Sequence, residues 1–150
     1  MSKQRGFSLV ELVIVLFIFV LLAAVAIPMF GRYADRARTS AAIGDIGSIS
    51  LAIERFRLKN NDRIPNSLSE LDMPVPRDPW DQEYRYLRFS GPQSIGKARK
   101  DGRLVPLNSD FDLYSIGADG NSSGSLSAKS SWDDIVRANN GAYIGLGKDY

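Results

Sequence analysis

The chain has 150 residues, about 44% apolar and 24% charged, a balance that fits one globular domain and not a disordered segment. It contains no cysteine and no histidine, which excludes disulfide frameworks, Cys/His metal sites, thiol catalysis and histidine-dependent triads. Any metal site must then use oxygen ligands, which suits calcium or magnesium. The net charge of +2 is too small to point to nucleic acid, and it comes from Lys3 and Arg5: without them the 19 basic residues fall to 17, against 17 acidic ones.

The apolar residues are segregated. Leu12 to Ile27 is an uncharged run of sixteen, and Phe7 to Ile27 makes 21 residues with one charge, Glu11. At about 1.5 Å per residue such a helix reaches roughly 31 Å, enough to cross a hydrocarbon core. A secretory signal has a shorter apolar core, although Ala23, Ala24 and Ala26 imitate its cleavage site. Glu11 is the odd residue, since an uncompensated carboxylate costs several kcal/mol in lipid. Either it lies at the headgroup level of a plain anchor or it has a partner. Pro28 ends the run and predicts a kink, Gly31 follows, and Arg32, Arg36 and Arg38 mark the exit from lipid.

From Ala34 to Lys59 the pattern is helical, with Ile43, Ile46, Ile49, Ile53 and Phe56 on one stripe. Asn60-Asn61-Asp62 stops it. Ile64 to Leu71 reads as a turn into a short helix, with Ser67 as its cap and Glu70 three residues later. Pro74, Pro76 and Pro79 forbid regular structure. Tyr84–Phe89, Arg103–Leu107 and Phe111–Ile116 are predicted strands, with Tyr143–Leu146 a weaker fourth. Gly91-Pro92 and Asn108-Ser109 are turn chemistry. Asn121 to Ser131, where six of eleven residues are Ser, reads as a loop. Lys97, Arg99, Lys100 and Arg103 form a basic cluster, read as a solvated loop and too weak a patch to imply a nucleic-acid partner. Asp119-Gly120 is a turn, and Asp133-Asp134 before Ile135-Val136 reads as the cap of a short helix. The fold class is therefore α+β: a long helix, membrane-crossing in its first half and amphipathic in its second, packed on a small antiparallel sheet, with a loop region toward the carboxy terminus. No nucleophile motif or phosphate loop points to an enzyme.

The amino terminus carries a more specific signal. Arg5-Gly6-Phe7-Ser8-Leu9-Val10-Glu11, running straight into the apolar segment, resembles the processing site of type IV pilin-like proteins. That resemblance implies cleavage between Gly6 and Phe7 by a membrane aspartyl peptidase, which also methylates the new amino group of Phe7. It makes residues 1–6 a leader, 7–30 the membrane and assembly helix, and 31–150 a periplasmic head that includes the amphipathic half of the helix. Glu11 would neutralise the Phe7 amine of a neighbouring subunit and set the axial register; an intramolecular pair is the alternative. Pro28, 21 residues after Phe7, stands where such proteins usually have a proline.

Asp78-Pro79-Trp80-Asp81-Gln82-Glu83-Tyr84-Arg85-Tyr86, Phe111-Asp112-Leu113-Tyr114-Ser115-Ile116-Gly117-Ala118-Asp119-Gly120 and Gly44-Asp45-Ile46 resemble segments of the type II secretion major pseudopilins, the G-subunit family. The implied function is a structural subunit, polymerised with itself into a periplasmic filament that exports folded proteins. The implied partners are the inner membrane before assembly, the prepilin peptidase/methyltransferase, an inner-membrane assembly platform and minor pseudopilins. A type IV pilin for adhesion, motility or DNA uptake is the alternative. The family also implies one structural calcium ion, held by the carboxylates of Asp119, Asp133 and Asp134 and by the carbonyls of Ile116, Ser131 and Val136. The chain departs from the family in four places: Asp81 replaces a usual Gly, the connection 91–108 is longer, the loop after Gly120 is Ser-rich where relatives are often acidic, and a tail runs from Arg137 to Tyr150.

Overall fold

The computed structural model describes residues 6–102 and 104–150, with the side chain of Pro28 excepted. The leader cations Lys3 and Arg5, and Arg103 at the start of one predicted strand, lie outside the described residues. The chain divides into two compact units, Met1–Ala37 and Arg38–Tyr150.

The first unit holds most of the apolar run. Helix α1, Leu9–Lys59, begins in it. Its start is fixed by Ser8 and Glu11. The Ser8 hydroxyl accepts the Glu11 backbone N–H at 3.2 Å, and the Glu11 carboxylate accepts the Ser8 N–H at 2.8 Å and its hydroxyl at 2.9 Å. This is a capping box, in which two backbone donors at a helix start satisfy each other's side chains. Every residue from Leu12 to Ile27 is exposed. The helix assignment continues through Pro28, so the turn predicted to kink there is not melted; the Pro28 side chain itself is outside the described set.

In the second unit the amphipathic part of α1 faces a four-stranded antiparallel sheet. The strands are β1 (Arg85–Arg88), β2 (Phe111–Ser115), β3 (Ile135–Ala138) and β4 (Tyr143–Leu146), in the order β1-β2-β3-β4. The helix stripe Ala42, Ile46, Ile49 and Ile53 is fully buried against Phe111, Leu113 and Ile135 from the sheet, closed by Leu71 and Tyr84. Burying each such side chain contributes about 1.5–3 kcal/mol, so this stripe and not helix propensity holds the long helix to the sheet. A second cluster, Leu107, Leu126, Val136 and Ala138, also draws on the sheet, and brings the Ser-rich loop down through Leu126. The helix stops after Lys59, where Asn61 and Asp62 take left-handed φ values of 52° and 64°.

Several predicted details differ. Ser67 makes no side-chain cap; the Glu70 carboxylate accepts the Asn66 N–H at 2.9 Å, and Leu68–Glu70 is a single 3₁₀ turn. Gly91-Pro92 opens a short helix, α2 (Pro92–Ile95), because Pro is favoured at a first helical position. Residues 104–107 form no strand. Asp101 and Leu104 exchange backbone hydrogen bonds at 3.0 and 2.8 Å in a tight turn, and Pro106 has no N–H to offer a ladder. Asp133-Asp134 caps no helix: Ile135–Ala138 is a central, fully buried strand. The tail after Arg137 is integral to the sheet, since Ile135, Val136, Arg137 and Ala138 pair with Leu146, Gly145, Ile144 and Tyr143.

Candidate functional site

Two places carry the residues singled out above, one in each unit. At the amino terminus Gly6 and Phe7 are exposed, Phe7 at 86%. A Cβ built on Gly6 would meet nothing within 4 Å, so the fold makes no demand for glycine there. Any demand must come from a molecule that reads the segment. Glu11, which looked unpartnered in the sequence, is paired locally with Ser8. The signal for this was present as Ser8-x-x-Glu11, the capping-box spacing.

The acidic loop lies at the end of β2. Asp78 prepares its entrance: one carboxylate oxygen accepts the N–H groups of Trp80 and Gln82 at 3.0 and 2.9 Å, and the other accepts the Ser115 hydroxyl at 2.5 Å. Thus the Asp-Pro-Trp stretch and the end of Phe-Asp-Leu-Tyr-Ser are tied by one buried carboxylate. Tyr84 joins the third motif, donating to Asp45 of Gly-Asp-Ile at 2.8 Å. Burial first, and Asp45 second, push the Tyr84 phenol well above its usual range. These motif residues hold elements together, which accounts for their chemistry without a substrate.

Beyond Ser115 the chain turns at Ile116, which is buried, and Gly117, at φ +68°. The Asp119 N–H donates to the Asp133 carboxylate at 2.9 Å, and the Asp119 carboxylate accepts the Asn121 N–H at 2.7 Å. Asp119 is exposed, Asp133 half-buried, and Asp134 fully buried. The Ser131 hydroxyl is bound to Ser123, accepting its N–H at 2.9 Å and donating to its carbonyl at 3.0 Å. Val136 sits inside β3, opposite Tyr114 and Gly145. So the fold brings Asp119 and Asp133 into contact, and Asp134 turns inward.

What Asp134 meets was not anticipated. Arg99, predicted to lie in a solvated loop, is 3% exposed. Its Nη2 lies 2.6 Å from Asp134 Oδ2, its Nη1 donates to the Ser122 hydroxyl at 2.5 Å, and that hydroxyl donates to the same carboxylate at 2.6 Å. Its backbone N–H donates to Asp112 at 2.6 Å, and its guanidinium lies 4.3 Å over the Tyr114 ring. Burial pushes the Asp134 carboxyl up, opposed by the Ser122 and Arg99 bonds. Desolvation likewise raises Asp112, opposed chiefly by the Arg99 backbone N–H and Asn108.

The residues as arranged do not fit the calcium ion implied by the family. Calcium takes six to eight oxygens at about 2.3–2.6 Å. Among the described residues no three acidic side chains converge in a way that would hold a metal ion. Asp134 Oδ1, a buried carboxylate oxygen without a hydrogen-bond partner among the described residues, lies on the carboxylate paired with Arg99, whose Nε also has none. One free acceptor and one free cationic donor are not a divalent-cation shell.

Comparison with known proteins places both regions in context. Residues 1–27 match the family model described as "Prokaryotic N-terminal methylation motif". The chain is 31% identical to type II secretion system core protein G of Pseudomonas aeruginosa, over 82% of this chain and 89% of that protein. It is 27% identical to the protein of the same name from Pectobacterium carotovorum subsp. carotovorum, over 79% of this chain and 78% of the relative. A fimbrial protein of Pseudomonas aeruginosa is 27% identical over 95% of this chain and 85% of its own. No solved structure matches.

Proposed function

This chain belongs to the family of the type II secretion system core protein G, and from that premise we propose that it is cut after Gly6, methylated on Phe7 and polymerised into a periplasmic filament that exports folded proteins. It is a pseudopilin: a structural subunit with one long apolar helix for membrane anchoring. The observation that carries the assembly reading is the exposure of that helix. Leu12 to Ile27 shows apolar side chains on every face, and every one of these residues is exposed. A soluble monomer does not leave such a surface in water. Lipid covers it before assembly, and the same helices of neighbouring subunits cover it afterwards. The processing motif stands immediately before it, on an exposed segment accessible to a peptidase.

The reading places the head outside the inner membrane and gives it no catalytic role, since the buried carboxylates are engaged in structural bonds. Its partners are further copies of the chain, the processing enzyme, the inner-membrane assembly platform and minor pseudopilins. The test is intact-mass analysis of protein from membranes. A mature chain beginning at N-methylated Phe7 is expected, and Gly6→Val should leave the full precursor with an unchanged head. Any other mature start ends the reading.

The fimbrial relative favours a second reading, a type IV pilin. Deleting the gene separates the two. A secretion subunit loses export of folded proteins and keeps surface pili, while a pilin does the reverse.

A further inference from the structure

We infer that the guanidinium of Arg99 is the built-in cation of the acidic loop, standing where the family would hold calcium, so that this head orders residues 117–134 without a divalent metal. The inference rests on the geometry of the head and not on the filament reading.

The first observation is position. Asp134, the only fully buried carboxylate of the expected ligand set, is ion-paired with Arg99 at 2.6 Å, and the two side chains are 0% and 4% exposed. A charge-assisted bond between desolvated partners is among the stronger contacts a loop can have, and removing either leaves an uncompensated buried charge. A second cation placed against Asp134 would face the guanidinium at short range in low dielectric, where like charges repel strongly. The Tyr114 ring at 4.3 Å and the Asp112 carboxylate on the Arg99 N–H fix where that guanidinium lies.

The second observation is how Arg99 arrives. It sits in the connection 91–108, after the short helix α2. That connection is laced to the Ser-rich loop through backbone bonds of Lys100: its N–H donates to Gly124 at 2.9 Å and its carbonyl accepts from Leu126 at 2.9 Å. The Leu107 N–H closes the other side onto the Arg99 carbonyl at 2.9 Å. The same strip therefore carries the cation and stitches down the loop that the cation clamps.

The third observation is charge matching. A divalent ion calls for several carboxylates, whereas one guanidinium needs one carboxylate and neutral acceptors. Ser122 supplies such an acceptor, and Asp119 and Asp133 are occupied with backbone N–H groups of the loop itself. The Arg99 guanidinium and the Ser122 hydroxyl thus form one charge-matched cluster on Asp134.

The test uses the full-length chain in mild detergent, melted in about 1 mM calcium, in the same magnesium, and in chelator, a concentration at the weak end of known calcium modules. The three melting curves should coincide. Trypsin should cut slowly at Lys129, the exposed cation of the loop, equally with calcium and with chelator. Arg99→Gln, which removes the charge and ends short of Ser122 and Asp134, should melt lower and be cut at Lys129 at least several-fold faster. A rise of several degrees in calcium but not magnesium, or protection at Lys129 that chelator abolishes, would overturn the inference in the wild-type chain alone. Resistance of Arg99→Gln equal to wild type would overturn it too.

Discussion

Gly117 and Asp81 both take left-handed backbone, and the chain treats them differently. At Gly117, φ +68°, an added Cβ would lie inside contact distance of the Asp133 carbonyl and carboxylate. An L-residue there costs about 1–2 kcal/mol in backbone strain before any clash. We expect Gly117→Ala to cost at least ~2 kcal/mol, read as a lowered midpoint in chemical denaturation, because β2 and Asp133 must separate. Asp81 has φ +65°, a left-handed backbone that glycine takes most easily. Asp tolerates that region better than most residues, and its turn is held by the Arg77 guanidinium, which donates to the Asp81 carbonyl at 2.6 Å. Asp81→Gly should be neutral within ~0.5 kcal/mol, and Asp81→Val should cost more than ~1 kcal/mol by the same measurement. The sequence marked a turn at Asp119-Gly120, and the left-handed residue Gly117 stands two residues before it. The burial of Arg99 was not legible there, because its acceptors lie 23 and 35 residues away while its near neighbours, Lys97 and Lys100, are solvent-type cations.

The helix stripe and the strands β1 and β2 could be read from periodicity, since their partners are apolar and their spacing is local. β3 escaped for a physical reason. Its apolar run is broken by Arg137, which looks like a surface residue but is buried, paired at 2.8 Å with Asp110 and stacked 4.0 Å over Phe111. A buried charge is recognisable only once its distant counter-charge is in place. The joint between α1 and the sheet has its own test. Tyr84 donates to Asp45, and Tyr86 donates to the Pro65 carbonyl at 2.7 Å; burial is the main force raising both phenols above their ordinary value of 10.0. In the unfolded chain they ionise near that value, while in the head they hold their protons. The stability they contribute is therefore complete below pH 10 and falls as pH rises above it, by about 1.4 kcal/mol per pH unit for each phenol. Ultraviolet titration should show these tyrosines ionising only with cooperative unfolding. Free ionisation near pH 10 in a folded head would refute the joint. Tyr84→Phe should cost about 0.5–1.5 kcal/mol at pH 7 and flatten the alkaline loss.

At the scale of the whole molecule, the head buries its own apolar core, and the apolar part of α1 is left exposed. The head needs no partner to explain its core, whereas the run from Leu12 to Ile27 is exposed throughout. Glu11 stands at the amino-terminal end of that run, and its local bonds with Ser8 make its role separable by two substitutions. Glu11→Val removes both the charge and the acceptor of the capping box. Glu11→Gln removes only the charge, since Gln at this position still reaches back to the Ser8 N–H. If Glu11 serves merely to start α1, the valine variant loses about 1 kcal/mol of helix end and the glutamine variant behaves as wild type. If the carboxylate neutralises the Phe7 amine exposed by cleavage on a neighbouring subunit, both variants fail alike, because an amide carries no charge to offset that amine in a medium of low dielectric. We expect the second outcome. Both variants should insert in the membrane and be cut after Gly6, as intact mass would show. Both should lose filaments under overexpression, seen as the disappearance of sheared polymer and of cross-links between helices. Filaments from Glu11→Gln at wild-type yield would reduce Glu11 to a helix cap and leave the register of the assembly to be set by the apolar surface alone.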